Sequence, residues 1–285
     1  MKRVGLIGHP IAHSLSPAIQ NAAFIHHGRE ERYELWDTEA SRLEARIRDL
    51  RGDGFLGANV TVPYKQAVMP YLDRLDSLAE ETGAVNTIVN EGGRLAGHNT
   101  DVTGFAQVLS AAGFSTKEAG VVVLGAGGAA RAVGLVLVRE GAASIDLCDI
   151  DIGRARALAE HLRSLSEGRT AVRAHAPSDA GFREAVTGCR LLINCTPAGT
   201  RHSDIEGRTP LDAEAIPSGA LVFDLVYNPP LTPLMAAAEA RGAQAVGGLS
   251  MLVYQAAASF KLWTGLDAPV DIMLAAARQA LDAAN

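Results

Sequence analysis

The sequence predicts an α/β fold with two domains, of which the second contains a doubly wound parallel sheet. In the second half, short apolar runs of strand length alternate with segments of helix length, which is the pattern of parallel strand–helix–strand units. One of these runs passes through a glycine-rich turn into a run of small residues. The length of 285 residues suits about two domains of ordinary size, and 48% hydrophobic residues suffice for their cores.

Composition excludes several classes of protein. The net charge of −6 comes without a basic cluster, which argues against nucleic acid as a partner. No apolar run approaches the roughly 20 residues that span a bilayer, and the N-terminus enters a strand without the apolar region of a signal peptide. We therefore expect a cytoplasmic protein with neither a nucleic-acid nor a membrane partner, either a monomer or a homodimer.

The cysteines and histidines do not predict a metal site. Cys148, Cys189 and Cys195 show no C-x-x-C spacing and lie in or beside predicted strands, so we expect buried thiols without a disulfide. The eight histidines form no H-E-x-x-H or comparable motif. No metal is expected.

Two serines precede the first predicted helix. Residues 4–7 form a short buried strand, and a helix follows over about residues 18–27. Ser16 followed by Pro17 is typical of an N-cap and the first helical residue. Ser14 and Ser16 also place two hydroxyls beside a helix N-terminus, where they could hold a carboxylate. The local sequence leaves both interpretations open.

A polar–apolar alternation over residues 58–62 predicts a strand with Asn59 and Thr61 on one face. Pro63 ends this strand and can begin the next helix, which places Lys65 in the first turn of that helix. The helix dipole disfavours a cation there. This weakens the ordinary interpretation of Lys65 as a surface lysine but does not replace it.

A further polar cluster ends the first half of the chain. Asn86 interrupts an apolar strand over residues 83–89. A helix is predicted over about residues 102–112, and Thr100 or Asp101 could cap it. The density of polar residues ahead of this helix indicates a functional site, and we place a domain boundary after Asp101.

The most informative stretch is a glycine-rich turn between a strand and a helix. Residues 121–124 form a fully buried strand, and residues 129–138 form a helix. Gly125, Gly127 and Ala130 occupy the three positions of G-x-G-x-x-[G/A]. They permit the tight turn, the approach of a pyrophosphate to the backbone and close packing of the helix on the strand. Free N–H groups at the helix N-terminus favour the phosphates, so the stretch predicts a Rossmann-type dinucleotide-binding domain.

Further cofactor contacts are predicted at the carboxyl ends of the parallel strands, where ligands of open sheets bind. Asp149 ends the second strand 24 residues after Gly125 and is placed to accept hydrogen bonds from ribose hydroxyls. Comparable loops follow the later strands. The predicted cofactor-binding residues are Gly125, Ala126, Gly127, Gly128, Ala129, Asp149, Asp151, Arg154, Thr196, Leu225, Val226, Gly248 and Met251.

Taken in order, these motifs resemble those of the shikimate dehydrogenase family over almost the whole chain. The matching segments are the glycine turn and residues 13–17 (HSLSP), 59–65 (NVTVPYK), 83–87 (GAVNT), 97–101 (GHNTD), 194–197 (NCTP), 224–229 (DLVYNP) and 251–255 (MLVYQ). The resemblance implies an α/β substrate-binding domain of residues 1–101, completed by C-terminal helices over about residues 250–285. Residues 102–249 would form the dinucleotide-binding domain.

The resemblance also implies a reaction and its residues. The family interconverts 3-dehydroshikimate and shikimate by hydride transfer with a nicotinamide cofactor, within the chorismate pathway of aromatic biosynthesis. It implies Lys65 and Asp101 as the catalytic pair, and Ser14 and Ser16 as the groups that hold the substrate carboxylate. The residues implied around the ring hydroxyls and the carboxylate are Asn59, Thr61, Asn86, Tyr227 and Gln255.

The chemistry of a ring ketone fits this pair. Hydride addition leaves an alkoxide that needs a proton, and the reverse reaction needs a group that accepts one. A lysine at a positive helix end has its charged form disfavoured, which suits proton transfer. We therefore expect Lys65 to transfer the proton, and Asp101 to orient the lysine and to bond a substrate hydroxyl.

The loop after the second strand departs from the family pattern. Relatives that use NADP usually carry Asn-Arg-Thr there, with the arginine at the 2′-phosphate, whereas this chain has Asp149, Ile150 and Asp151. A carboxylate repels a 2′-phosphate, and although Arg154 could partly compensate, the loop predicts NAD in preference to NADP. NAD-preferring relatives include quinate/shikimate dehydrogenases, so quinate is an alternative substrate. The second serine of the first motif favours shikimate.

Two further alternatives remain. The folate-linked methylene dehydrogenases also pair a catalytic lysine with a nicotinamide domain, but they would leave the paired serines and the Asn-Thr-Asp motif unexplained. A non-catalytic dinucleotide-binding paralogue would keep the fold. Loss of Lys65 or Asp101 would support that alternative, and both residues are present.

Overall fold

The computed structural model describes residues 2–201 and 203–283. The chain divides into two compact units: the first comprises the residues up to Gln107 together with those from Met251 onward, and the second is Val108–Ser250. The sequence predicts these divisions after residues 101 and 249. Within the described residues, each unit is built of strands and helices around one sheet, so the predicted α/β class with two domains is confirmed.

The elements follow the predicted alternation closely, with boundaries that move by a few residues. The strands are β1 (Arg3–Gly8), β2 (Arg32–Asp37), β3 (Phe55–Val60), β4 (Arg74–Leu75), β5 (Thr87–Glu91), β6 (Arg94–His98), β7 (Gly120–Leu124), β8 (Ser144–Cys148), β9 (Ala171–His175), β10 (Leu191–Asn194), β11 (Leu221–Asp224) and β12 (Gln244–Gly247). The helices are α1 (Ser16–His26), α2 (Leu43–Asp49), α3 (Ser77–Thr82), α4 (Thr100–Ala111), α5 (Gly128–Arg139), α6 (Ile152–Ser166), α7 (Ala180–Gly188), α8 (Pro233–Ala240), α9 (Leu249–Thr264) and α10 (Val270–Ala283).

The sheet of the first unit is mixed and has the strand order β2-β1-β3-β5-β6-β4. Strand β1 is parallel to both of its neighbours, whereas β5 is antiparallel to β3 and to β6. The register places Asn59 of β3 opposite Thr87 of β5, and Thr87 opposite His98 of β6. Three strands therefore bring three of the four polar motifs of the first half of the sequence side by side, those of residues 59–65, 83–87 and 97–101.

The sheet of the second unit is parallel throughout and has the order β12-β11-β10-β7-β8-β9. This arrangement confirms the predicted Rossmann-type sheet. Strand β7 lies between β8 and β10, so the strand order reverses beside it. In open parallel sheets that reversal opens a crevice beyond the carboxyl ends of the strands, where ligands bind.

Small residues bring the helices of the second unit close together. All side chains of residues 121–124 are buried, as their apolar run predicts. A Cβ on Gly134 of α5 would lie 2.5 Å from Leu162 Cδ1 of α6, so the two helices could not approach this closely with a larger residue there. Ala130 is fully buried at the start of α5. The small-residue run after the glycine turn thus serves close packing.

Two of the three cysteines are buried thiols, as predicted. Burial raises the pKa of Cys148 and of Cys189 to about 12, so both are protonated and poor nucleophiles near neutral pH. Cys195 is only half-buried. In the described part of the chain, no helix is long and apolar enough to cross a membrane.

Candidate active site

The site in the first unit is built around an ion pair. Lys65 Nζ lies 2.6 Å from Asp101 Oδ2, and the two side chains are only 13% and 8% exposed. Lys65 lies in a turn after β3, and Asp101 lies in the first turn of α4. Water screens ion pairs on the surface, whereas this pair is shielded from most of the solvent. The two motifs that carry the predicted catalytic pair therefore meet in the fold.

Lys65 does not lie in a helix, so that prediction is wrong. Residues 61–68, between β3 and a short 3₁₀ helix at Met69–Tyr71, form turns rather than an α-helix. Pro70 has no N–H with which to continue an α-helical ladder. The helix dipole therefore does not prepare Lys65 for proton transfer. Its backbone oxygen instead accepts the N–H of Val85 at 2.7 Å, which fixes the lysine to the next motif.

Both carboxylate oxygens of Asp101 have a donor. Oδ2 faces Lys65, and Oδ1 accepts a hydrogen bond from Asn86 Nδ2 at 2.8 Å. The orientation of the Asn86 amide is determined by the backbone N–H of Thr100, which donates to Asn86 Oδ1 at 2.8 Å. A backbone N–H can only donate, so the NH2 group must face Asp101. Asn86 therefore fixes the carboxylate that faces the lysine.

Asn99 caps the helix that carries Asp101. Its Oδ1 accepts the N–H of Asp101 at 3.1 Å, and its Nδ2 donates to Ala84 O at 2.8 Å. The interpretation of Thr100 or Asp101 as the cap is wrong because α4 already begins at Thr100. Since Asn99 satisfies the helix end, the side chains of Thr100 and Asp101 are left to the site.

A buried polar network supports Asn86. Asn59 Nδ2 lies 3.1 Å from Asn86 O, 3.0 Å from Thr87 Oγ1 and 3.0 Å from Ser259 Oγ. Asn59 Oδ1 accepts a hydrogen bond from Tyr33 Oη at 2.8 Å. Both ends of the Asn59 amide are thus engaged by the protein, and the residue is buried.

Tyr33 and Ser259 were not predicted from the sequence. Tyr33 lies in a strand outside every motif, and Ser259 follows three alanines in the middle of α9. The one available signal was the hydroxyl of Ser259 directly after three alanines, and Tyr33 had none. Burial raises the pKa of Tyr33, and a hydrogen bond with Ser16 opposes that shift. Tyr33 therefore connects Asn59 with the serine motif.

The two serines of the first motif bond each other. Ser14 Oγ lies 3.1 Å from Ser16 Oγ, and the backbone N–H of Ser16 donates to Ser14 Oγ at 3.2 Å. Ser16 is the first residue of α1 and Leu15 is the N-cap position, without a side-chain cap. The interpretation of Ser16 as the N-cap is therefore wrong by one position, because α1 already begins at Ser16. The hydroxyl that accepts the first backbone N–H of the helix belongs to Ser14.

The other predicted substrate residues are less tightly grouped. Gln255 of α9 places Oε1 3.5 Å from Asn86 Nδ2, and its Nε2 donates to Leu252 O at 2.8 Å. Thr61 follows β3, where its backbone N–H donates to Ile7 O at 2.9 Å. Tyr227 belongs to the second unit, and burial raises its pKa.

A second acid–base pair lies beside this site. Asp76 Oδ2 is 2.8 Å from His98 Nδ1, and Asp76 Oδ1 accepts the N–H of Ala79 at 2.7 Å, which caps α3. Burial alone would raise the pKa of Asp76, but the hydrogen bonds from His98 and Ala79 outweigh it and hold that pKa below the ordinary value. His98 in turn accepts the backbone N–H of Asn86 through its own backbone oxygen, at 3.1 Å.

We expect Asp76 to make the fold sensitive to acid. Its pKa is lower in the folded than in the unfolded chain, so its stabilisation is present above the unfolded value of about 3.9 and is lost as the pH falls through the folded pKa. Asp76→Asn should lower the free energy of unfolding in urea by about 1 kcal/mol at neutral pH. The difference from the wild type should shrink below about pH 4. A difference that is the same in acid and at neutral pH would contradict this.

The glycine turn of the second unit leaves the N-terminus of α5 without a side-chain cap. Gly125 has φ +94°, a conformation that favours glycine, and a Cβ there would lie 3.2 Å from Cys195 O. Gly127 is the N-cap of α5 and has no side chain with which to cap it. The first N–H groups of α5 are therefore left for a ligand, as phosphate binding requires.

The loop after β8 directs its acidic side chains inward. Asp149 Oδ2 accepts the N–H of Ala126 at 2.8 Å, and Asp149 Oδ1 accepts the N–H of Asp151 at 2.9 Å. Asp151 caps α6 through the N–H groups of Gly153 and Arg154. The guanidinium of Arg154 lies beside the glycine turn, with Nη2 3.5 Å from the place of a Cβ on Gly127. The Asp149 carboxylate and the Arg154 guanidinium therefore both lie against the turn.

The remaining predicted cofactor residues follow the neighbouring strands. Thr196 N–H and Oγ1 both bond Asn194 Oδ1 at the end of β10, at 2.9 and 2.6 Å. The N–H of Gly248 bonds Val226 O at 3.3 Å, and a Cβ on Gly248 would lie 2.1 Å from Leu225 O. Met251 lies in the first turn of α9 and belongs to the first unit. Among residues 2–201 and 203–283, no three His, Cys, Asp or Glu side chains are placed to hold a metal ion.

Two family models match this chain. The shikimate dehydrogenase substrate binding domain matches residues 6–88, and the shikimate 5′-dehydrogenase C-terminal domain matches residues 248–278. The shikimate dehydrogenase (NADP(+)) of Moorella thermoacetica is 44% identical over 282 residues, which cover 99% of this chain and 94% of that protein. The protein of the same name from Symbiobacterium thermophilum is 45% identical over 98% of this chain and 94% of its own length.

A solved structure shares the whole fold. The crystal structure of shikimate 5-dehydrogenase from Thermus thermophilus, in complex with NADP(H) and shikimate, has a TM-score of 0.87 and 38% sequence identity. The match covers 99% of this chain and 100% of that one.

The prediction of NAD in preference to NADP is wrong. Both of the relatives named above are NADP(+) enzymes, and the Thermus structure holds NADP(H). The prediction assumed that the carboxylate of Asp149 faces the ribose and repels a 2′-phosphate. Each of its oxygens accepts a backbone N–H, from Ala126 of the glycine turn and from Asp151, and the cation of Arg154 lies beside the same turn.

Proposed function

This chain belongs to the shikimate dehydrogenase family of oxidoreductases, and we propose that it interconverts 3-dehydroshikimate and shikimate with NADP(H). The observation that supports this best is the shielded Lys65–Asp101 pair with a separation of 2.6 Å. A pterin-using enzyme would also hold a catalytic lysine, but it would leave the paired serines and the Asn-Thr-Asp motif unexplained.

The proposed role of Lys65 is to move one proton. The bound cofactor supplies the hydride, with its electron pair, to the carbonyl carbon of the ring ketone. As the C=O π bond breaks, negative charge develops on the carbonyl oxygen, and the Lys65 ammonium donates a proton to it. In the reverse direction the neutral amine accepts the hydroxyl proton. The product is a secondary alcohol, and Lys65 is reset by exchanging one proton with water.

Asp101 and Asn86 would prepare this transfer. The carboxylate holds the ammonium group in place through Oδ2, and Asn86 holds the carboxylate through Oδ1. A donor fixed before the reaction does not have to reorganise as charge develops, which is the main source of such electrostatic catalysis. We therefore propose that Asp101 orients Lys65 and accepts a hydrogen bond from a substrate hydroxyl.

The remaining residues would bind the substrate. We assign the adjacent hydroxyls of Ser14 and Ser16 to its carboxylate, and Thr61, Gln255 and Tyr227 to its carboxylate and ring hydroxyls. Asn59 takes a different role, because each end of its amide already bonds the protein. We assign Asn59 to the support of Asn86.

NADP(H) fits the second unit. The uncapped start of α5 would hold the pyrophosphate, because its free N–H groups and the helix dipole favour anions. We assign Arg154 to the 2′-phosphate, because its guanidinium lies beside the glycine turn. Arginine suits a phosphate because its planar set of donors matches the phosphate oxygens.

Arg154→Gln is therefore expected to raise KM for NADP⁺ by about 10- to 100-fold, because the variant loses a hydrogen bond between charged groups. KM for NAD⁺, which has no 2′-phosphate, should change little. Initial rates at varied cofactor and saturating shikimate measure both constants. Arg156→Gln is the matched control, since Arg156 is an exposed arginine on the same helix. Equal effects on the two cofactors would remove Arg154 from the 2′-phosphate site.

The function itself is tested by initial rates with shikimate and with quinate, each with NADP⁺ and with NAD⁺. We expect the highest kcat/KM with shikimate and NADP⁺. A preference for quinate would make the chain a quinate dehydrogenase with the same Lys65 chemistry. No rate with any of the four pairs would overturn the proposal.

A further inference from the structure

Ser259 of α9 lies at the centre of the buried network that supports Asn86. Its Oγ is 3.0 Å from Asn59 Nδ2, 2.8 Å from Thr87 Oγ1 and 3.1 Å from Thr100 Oγ1. The hydroxyl also lies 3.0 Å from Gln255 O, one turn earlier on its own helix. Ser259 is 0% exposed. The bond to Gln255 O alone would satisfy the hydroxyl of a buried helical serine, so the other three contacts call for a separate explanation.

The donors and acceptors of this network can be ordered in one direction. Because Asn86 Oδ1 faces the Thr100 N–H, the two hydrogens of its NH2 group point to Asp101 Oδ1 at 2.8 Å and Thr100 Oγ1 at 2.9 Å. Thr100 Oγ1 accepts from Asn86, so its own proton is available for Ser259 Oγ. The proton of Ser259 goes to Gln255 O, an acceptor that cannot donate.

We propose that Ser259 is a positioning residue that, through Thr100, holds the Asn86 amide on Asp101. The proposal rests on the proposed function, in which Asp101 orients Lys65. Without the Ser259 hydroxyl, the proton of Thr100 can turn to Asn86 Oδ1, which lies 3.2 Å away. Asn59 and Thr87 lose a partner at the same time. A hydroxyl that donates to Asn86 Oδ1 presents its lone pairs less well to Asn86 Nδ2, so the amide keeps the orientation that the Thr100 N–H gives it but is held less tightly against Asp101.

Kinetics separate positioning from a merely structural role. We expect Ser259→Ala to lower kcat for shikimate oxidation about tenfold, because the network loses about one net hydrogen bond. KM for shikimate should rise, and KM for NADP⁺ should stay unchanged. A merely structural role would lower the active fraction and leave both KM values unchanged. Ser166→Ala is the matched control, since Ser166 is a buried helical serine that donates to Arg163 O in the second unit. Unchanged kinetics of folded Ser259→Ala would overturn the proposal.

Thr100 provides a second way to interrupt the same connection. We expect Thr100→Val to reproduce the kinetic effect of Ser259→Ala, and Thr100→Ser, which keeps the hydroxyl, to retain most of the activity. If the two hydroxyls act in series, the Ser259→Ala/Thr100→Val double variant is no slower than the slower single variant. Effects that multiply would show that the two residues act independently.

A measurement that does not depend on turnover keeps the two proposals separate. The side-chain NH2 resonances of Asn86, assigned by their loss in Asn86→Asp, should shift and exchange faster with solvent in Ser259→Ala and not in Ser166→Ala. Unchanged Asn86 resonances would overturn the role of Ser259 even in an active enzyme. An inactive wild type with shifted resonances would overturn only the proposed function.

Discussion

Lys65→Met is expected to lower kcat for shikimate oxidation by about 10²- to 10⁴-fold, the usual contribution of a positioned acid–base group. Methionine keeps the length of the side chain and removes the proton that is transferred. Because the cofactor residues that we assign lie mainly in the second unit, binding of NADP⁺ should be unchanged when followed by fluorescence titration. The comparison of kcat with cofactor binding then separates proton transfer from damage to the fold.

The chain offers a control for the ion pair itself. Lys261 Nζ also lies 2.6 Å from a carboxylate, that of Asp267, but these side chains are 62% and 90% exposed. Lys261→Met should therefore leave kcat unchanged. Near-normal turnover in Lys65→Met, with shikimate bound normally, would show that another group moves the proton.

Asp101→Asn distinguishes orientation from proton transfer. The asparagine amide carries no charge to face the Lys65 ammonium, but it fills the same volume between Lys65 and Asn86. If Asp101 acts through Lys65, the Lys65→Met/Asp101→Asn double variant should be little slower than Lys65→Met alone, because groups that act as a unit are not additive. A product of the two single effects would assign Asp101 a separate step.

The sequence was sufficient where neighbours along the chain are neighbours in the site. The glycine turn, its strand and its helix lie within twenty residues, so their geometry follows from local rules. The proposed catalytic pair could be predicted only through its two motifs, because Lys65 and Asp101 are 36 residues apart. The pairing of β3, β5 and β6, which brings those motifs together, depends on long-range contacts.

Residue type alone did not reveal the direction of a side chain. The sequence predicts Asp149 as a ribose acceptor, but it does not show that the backbone N–H groups of Ala126 and Asp151 also bond its two oxygens. Ser259 was not identified because its partner Asn59 lies 200 residues earlier. Helix α9 has to fold onto the sheet before that contact exists, and no local pattern encodes it.

Gly57→Ala is expected to lower the free energy of unfolding by about 3 kcal/mol or more. Gly57 lies in β3 between Val4 of β1 and Val89 of β5, with φ +153°. A Cβ there would lie 1.9 Å from Ile88 O, a backbone atom held in the sheet. Trp263 Nε1 donates to the same oxygen at 2.9 Å and would lie 2.8 Å from the new Cβ. Urea unfolding at neutral pH measures the effect.

Gly54→Ala is the matched control, because no atom lies within 4 Å of its Cβ position and it precedes the same strand by one residue. Its free energy of unfolding should stay within about 0.5 kcal/mol of the wild type. Any displacement of β3 that relieves Gly57→Ala also moves Asn59, two residues on, away from Asn86 and Ser259. We therefore expect KM for shikimate to rise in the fraction of Gly57→Ala that still folds. A stable variant with a normal KM would show that β3 does not hold the site.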